Sequence, residues 1–186
     1  MSTEEVRRRS VARRPSWRFR AAGGPVRFED GVHGPRIVDV AAEVGDFVVA
    51  RADGVPSYQL AVVVDDAAMG VTDVVRGDDL LPSTGRQLQL YAALGLGPPR
   101  FAHVPLVVGE DGERLAKRHG ALSLGELRAR GADPRAVVGM LAELSGLAPP
   151  GARATPAELV AGFSLPREPA VLPPERVAAL AAGAPG

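Results

Sequence analysis

Tyr58-Gln59-Leu60-Ala61-Val62-Val63-Val64-Asp65-Asp66, followed after Gly70 by Val71-Thr72-Asp73-Val74-Val75-Arg76-Gly77-Asp78-Asp79-Leu80-Leu81, is the stretch on which the fold turns. Its first run is apolar without interruption after two residues and ends in three valines. That pattern suits a strand buried on both faces of an α/β sheet, closed by Asp65 and Asp66. Residues 71–75 read as a second strand that runs into a loop at Arg76. Ser83 or Thr84 then caps a helix through Arg86, Leu88, Leu90, Tyr91 and Leu94, which Gly95 ends. Strand, loop and helix in this order predict an α/β protein.

Working outward, Val26-Arg27-Phe28 and Phe47-Val48-Val49-Ala50-Arg51 read as short strands. Ala52-Asp53-Gly54 is expected to turn the second of them back as a hairpin. Residues 103–108 offer one further strand despite Pro105, after which Gly109-Glu110-Asp111-Gly112 turns into the loop Arg114-Leu115-Ala116-Lys117-Arg118-His119-Gly120. Beyond it the pattern is helical. A short helix over 124–130 stops at Gly131, and Asp133-Pro134 opens another with the stripe Val137, Val138, Leu141 and Leu144, closed by Gly146. Thr155-Pro156-Ala157-Glu158 is a capping box, and a last helix starts at Pro174. The organisation predicted is a flexible basic arm over 1–24, an α/β body over 25–123 and a helical region over 124–186.

The chain has 186 residues, a formal net charge of +0 and 46% hydrophobic residues, the size and composition of one ordinary domain. Mean hydropathy is +0.04, and no apolar run reaches the roughly 18 residues of a spanning helix, so no membrane partner is expected. The basic start, with Arg7, Arg8, Arg9, Arg13 and Arg14, is not followed by an apolar segment of signal-peptide length, and a cytoplasmic location is expected. There is no cysteine, which excludes disulfides, thiolate nucleophiles and Cys-ligated zinc. His33, His103 and His119 lie far apart without metal-ligand spacing, so no metal site is expected. His103 and His119 also lack a Ser or Cys partner and read as structural. All 22 basic residues are arginine except Lys117. A coding bias against lysine accounts for that scarcity, yet a compact rotatable ammonium is not equivalent to a guanidinium where it meets a phosphate.

Two loops at strand ends carry the candidate chemistry, because open α/β sheets bind ligands outside the carboxyl ends of their strands. Arg76 offers a planar fork to a carboxylate, and Tyr58 a hydroxyl. The alternative is that Arg76 pairs with Asp78 or Asp79 and that Tyr58 is a core aromatic with a wet tip. The cations Arg114, Lys117 and Arg118 form either a polyphosphate cradle or a solvated basic turn. Asp65-Asp66 either holds Mg²⁺ or caps a turn. No Walker loop is present.

The blocks 46–54, 58–66, Gly70-Val71-Thr72, Val75-Arg76-Gly77-Asp78-Asp79-Leu80-Leu81, Ser83-Thr84-Gly85-Arg86-Gln87 and 114–120 resemble, in order and spacing, the class I glutamyl-tRNA synthetases. The resemblance runs from about residue 15 to 147, more loosely to 172. It is strongest to the short branch of the family, which lacks an anticodon-binding domain and whose acceptor is the queuosine base of tRNA(Asp). The resemblance implies α/β architecture, the second half of a Rossmann-like catalytic domain followed by a small helical region. It implies ATP and glutamate as substrates, Mg²⁺ with the nucleotide, and tRNA as the acceptor. By position in the motifs, Tyr58 and Arg76 are the implied glutamate-binding residues. Arg114, Leu115, Ala116, Lys117 and Arg118 are the implied ATP loop, with Lys117 its catalytic lysine.

The match departs from the family pattern in two ways. The loop reads Arg-Leu-Ala-Lys-Arg where the family has Lys-Met/Leu-Ser-Lys-Ser/Arg/Gln, so one lysine is replaced by another cation and a serine hydroxyl is lost. The family's first Rossmann strand, HIGH-type loop, amino-acid-reading acidic residue and Cys-rich zinc segment have no counterpart. Zinc is therefore not expected, and the chain reads as a truncated product, an incomplete gene model or one piece of a split enzyme, the last with a separate N-terminal half as its partner. The alternative expectation is a non-catalytic RNA- or partner-binding module that keeps the scaffold.

Overall fold

The computed structural model describes Glu4, residues 14–115 and residues 123–182, which divide into two compact units, residues 1–103 and 104–186. The strand-rich part therefore ends at His103, and residues 104–115, read from the sequence as part of the α/β body, group with the helical region.

In the first unit, β1 (Trp17–Phe19) pairs antiparallel with β4 (Phe47–Ala50). β2 (Val26–Asp30) and β3 (Gly34–Val38) form a hairpin, and β2 also runs parallel to β6 (Arg100–Val104) through Asp30 and Phe101. With β5 (Asp73–Gly77) at the other edge, the sheet order is β3-β2-β6-β5. A short α1 (Val40–Glu43) is capped by Asp39, whose carboxylate accepts from the Ala42 amide.

Residues 58–64 are not a strand. They begin α2 (Tyr58–Met69), capped by the Ser57 side chain and stopped by Gly70 in the left-handed conformation at φ 70°. Valine richness pointed to a strand, but the bracket from Ser57 to Gly70 spans 12 residues, a helical length rather than a strand's. The helix buries one face only, with Val63 fully covered and Tyr58 53% exposed. Asp65 and Asp66 consequently lie within the helix and not at a strand end. The turn at Ala52-Asp53-Gly54 does form, with Gly54 at φ 88°, but its returning arm is a single bridge from Ala50 to Pro56 before α2 begins.

The helix after β5 also starts differently. A 3₁₀ turn (Asp78–Leu80) leads into α3 (Leu81–Leu94), whose first turn holds Pro82 and has no side-chain cap. Ser83 and Thr84, expected as caps, are buried inside the helix and bond to side chains instead. Gly95 ends α3 in the left-handed conformation as expected. Val40, Phe47, Val63, Leu90, Tyr91 and Phe101 form the core.

Nor do residues 14–24 behave as an arm. Arg18 donates to the Asp46 carbonyl at 2.9 Å, and the backbone of Ala22 exchanges hydrogen bonds with the Gln89 amide at 3.1 and 2.9 Å. Alternation of Trp17, Arg18 and Phe19 beside a free strand edge was the missed signal.

In the second unit, Pro105 splits the stretch read as one strand, because proline has no amide to donate to a ladder. β7 (Val107–Val108) instead pairs parallel with β8 (Ala170–Val171). The helices match the sequence signals. α4 (Leu124–Ala129) has a capping box from Ser123 and Glu126, α5 (Pro134–Leu144) is capped by Asp133, and α6 (Pro156–Leu159) has the Thr155–Glu158 box. A 3₁₀ turn (Val160–Gly162) follows, and α7 (Pro174–Ala181) closes the described chain. Met140, Leu172 and Val177 form this unit's core.

Candidate active site

At the carboxyl end of β5, Arg76 projects into a polar cluster of the first unit that is mostly closed to water. Its Nε donates to Nε2 of His103 at 2.9 Å, and its Nη2 donates to Oγ1 of Thr84 at 2.9 Å and to the Leu80 carbonyl at 3.4 Å. The guanidinium lies over the Phe101 ring, 5.3 Å from the centroid, where the face of the π system attracts a cation. Burial pulls the Arg76 pKa below its ordinary value, while the Tyr58 side chain and the carboxylates of Asp66 and Asp30 act in the opposite direction. Arginine stays charged under such a shift. His103, Thr84 and the Leu80 carbonyl hold this side chain.

Behind Arg76 stands a second pair. Oδ2 of Asp30 is 2.6 Å from Nδ1 of His103, and both side chains have no exposed surface. Oδ1 of Asp30 accepts from the amides of Val32 and His33 at 3.0 Å and of His103 at 3.2 Å. Burial alone would raise the Asp30 pKa, but these hydrogen bonds outweigh it and leave the carboxyl at about 2. Burial likewise keeps His103 below its ordinary range against the pull of Asp30, and the cation Arg76 reinforces the effect. The imidazole is thus neutral beside an ionised carboxylate.

The structure brings Tyr58 and Arg76 together. Tyr58, at the start of α2, presents a half-exposed ring beside the arginine. A neighbouring network links Gln59 to Ser83 at 3.1 Å, Gln87 to Gln59 at 2.9 Å and Arg86 to Ser83 at 2.9 Å. This cluster presents a fixed planar cation and an accessible phenol to solvent, a fitting receptor for a carboxylate.

The sequence reading did not anticipate Asp30 and Thr84 beside Arg76, nor the contacts of His103 with both Asp30 and Arg76. Two signals were available: an acidic residue closing a strand just before Gly31, and a histidine within the apolar run Phe101-Ala102-His103-Val104.

The loop that the resemblance implies for ATP is described only in part, within the second unit. Arg114 bridges to Val108, and the Leu115 amide donates to the Val107 carbonyl at 3.1 Å. The Leu115 side chain packs on the core of Met140, Leu172 and Val177. Ala116, Lys117 and Arg118 lie outside the described residues. Among the described residues, no group of three His, Asp or Glu side chains is arranged to hold a metal ion, and no helix is long and apolar enough to cross a membrane.

The family model of tRNA synthetases class I (E and Q), catalytic domain, matches residues 1–158, and the chain belongs to this family. Among curated relatives, it is 52% identical to the glutamyl-Q tRNA(Asp) synthetase of Symbiobacterium thermophilum, over 98% of this chain and 58% of that protein. It is 45% identical to glutamate–tRNA ligase 2 of Syntrophus aciditrophicus, over 89% of this chain and 34% of that one. The chain thus spans little more than half the length of the first of these. Among solved structures, a glutamate tRNA ligase of Elizabethkingia meningosepticum in complex with its amino acid superposes with a TM-score of 0.75 at 25% identity, covering 95% of this chain and 40% of that one. The α/β fold class expected from the sequence is that of these relatives, although the strand that first suggested it is a helix.

Proposed function

We propose that this chain supplies the glutamate-holding and phosphate-holding part of an ATP-dependent ligase that activates glutamate and transfers it to tRNA, the queuosine base of tRNA(Asp) being the acceptor. The observation that carries the proposal is the anchored Arg76 beside Tyr58. In activation, an α-carboxylate oxygen of glutamate attacks the α-phosphorus of ATP, the bond to pyrophosphate breaks, and glutamyl-adenylate forms. A nucleophilic hydroxyl of the acceptor then takes the glutamyl group, and AMP leaves. A permanent cation held on the reacting carboxylate would blunt its attack, whereas the γ-carboxylate keeps its charge throughout. We therefore assign Arg76 and Tyr58 to the γ-carboxylate.

Lys117, with Arg114 and Arg118, neutralises the charge that builds on the leaving phosphates, and Leu115 and Ala116 contribute backbone to the same loop. Mg²⁺ would arrive with the nucleotide, since the described residues do not gather acidic groups to hold it. A cytoplasmic location suits such an enzyme. An N-terminal half carrying the adenine-binding segment would complete the site.

The test is glutamate-dependent ATP–pyrophosphate exchange, run on the chain alone and on the chain supplied with the N-terminal part of its Symbiobacterium relative. Exchange that needs both pieces supports the proposal. Exchange by the chain alone overturns the need for a partner, and no exchange in either case overturns the activity.

A second reading, an RNA-binding module without catalysis, rests on Trp17, which is 69% exposed in a surface pocket lined also by Arg14 and Arg51. Exposed aromatics between cations stack on unpaired bases. Filter binding of tRNA that weakens steeply with salt, together with no exchange in any combination, would favour it.

A further inference from the structure

We propose that Asp30 and His103 are positioning residues that fix the Arg76 guanidinium by holding the buried imidazole in its Nδ1–H tautomer. What the arginine is used for rests on the proposed function; the positioning itself rests on geometry. An ionised carboxylate only accepts, so the 2.6 Å contact with Oδ2 of Asp30 requires a proton on Nδ1 of His103. A guanidinium only donates, so the 2.9 Å contact from Nε of Arg76 requires a bare Nε2. Both ends of the ring demand the same tautomer.

Asp30 is fixed in turn, because its other oxygen accepts from three backbone amides in the turn after β2 and at the end of β6. Order therefore passes from two backbone segments, through a carboxylate and an imidazole, to one nitrogen of the guanidinium. Thr84 anchors a second nitrogen at 2.9 Å. Two fixed corners define the plane of the fork, and because both N–H groups of Nη2 already meet Thr84 and Leu80, binding to a ligand falls to Nη1. A histidine that merely filled space would have no need of a particular tautomer.

Asp30→Asn separates the two roles. The amide oxygen keeps the backbone hydrogen bonds and the packing, but its NH₂ now faces Nδ1 and donates to it. The ring proton moves to Nε2, where it meets the Nε–H of Arg76, donor against donor.

The experiment is long-range ¹H–¹⁵N spectroscopy on the ¹⁵N-labelled full chain at pH 7.5, with and without L-glutamate. In the wild type, His103 should show a protonated Nδ1, a bare Nε2 and a scalar coupling across the hydrogen bond from Arg76 Nε–H. In Asp30→Asn the tautomer should switch, the coupling should vanish, and exchange of the Arg76 Nε–H with water should speed up about 10-fold or more, the loss of one charge-assisted hydrogen bond. Where glutamate shifts the Arg76 signal, its apparent Kd should rise by a similar factor. A wild-type Nε2–H tautomer, an imidazolium, an absent coupling, or unchanged Arg76 exchange in the variant would overturn the proposal. The wild-type spectra decide the matter if the variant does not fold. Absence of any glutamate response in the wild type counts against the proposed function, while tautomer and coupling still support or overturn the positioning role.

Discussion

Nδ1 of His103 lies 2.6 Å from Oδ2 of Asp30, although 73 positions separate the two residues in the chain. The pair ties the end of the β2–β3 hairpin to β6, and its neutral imidazole carries the order on to Arg76. Fold and candidate site are thus held by the same buried contacts.

Acid should loosen the first unit in two steps. His103 has a folded-state pKa below its ordinary value of 6.5, so the unfolded chain takes up the proton first, and its share of stability, full above that value, is lost as pH falls through the folded one. Asp30, at about 2 against an ordinary 3.8, acts with the same sign lower down. Its contribution is complete above 3.8, disappears as pH falls to about 2, and amounts to about 2 kcal/mol. Urea unfolding from pH 8 to pH 2 should show stability falling across both windows, with the lower one absent in Asp30→Asn.

Truncation of Asp30 should cost far more than its isosteric replacement. Asp30→Ala strands the ring N–H of His103 and the amides of Val32, His33 and His103, and should destabilise the chain by about 3 kcal/mol or more. Denaturant midpoints compared with those of Asp30→Asn would check this.

In the second unit, two glycines on helices should respond oppositely to alanine. A Cβ at Gly139, on α5, would collide with the backbone carbonyl of Ala152, so Gly139→Ala should destabilise by at least about 2 kcal/mol. Among the described residues, Gly125, on α4, has only Ser123 Oγ within reach at 3.7 Å, and Gly125→Ala should stabilise by up to about 1 kcal/mol through helix propensity. Thermal unfolding of both variants reads the difference.

Lys117→Ala should depress ATP–pyrophosphate exchange about 100-fold or more, whereas Lys117→Arg, which keeps a cation, should lose much less. Equal losses would remove the phosphate role. KM for ATP and kcat, measured separately, distinguish binding from transition-state stabilisation.

Legibility from sequence followed the range of the interactions. Asp133, Thr155, Gly95 and Gly131 mark helix ends through contacts within a few residues, and each stands where the sequence placed it. Residues 58–64 misled because the apolar run was weighed without its flanking cap, Ser57, and its stop, Gly70. Trp17-Arg18-Phe19 alternates as a strand does, but three residues are too short a run to read without β4, the partner they pair with. The same holds for the site. Tyr58 and Arg76 stand in local motifs, whereas the value of Asp30 and His103 exists only once β2 and β6 lie side by side.

The most direct test of the account is ATP–pyrophosphate exchange by the completed enzyme as a function of amino acid, comparing wild type with Arg76→Lys. The account predicts exchange with L-glutamate and little with L-glutamine, and a KM for glutamate raised about 30-fold or more by the loss of the anchored fork. Equal use of glutamine, or an unchanged KM for glutamate in Arg76→Lys, would contradict it.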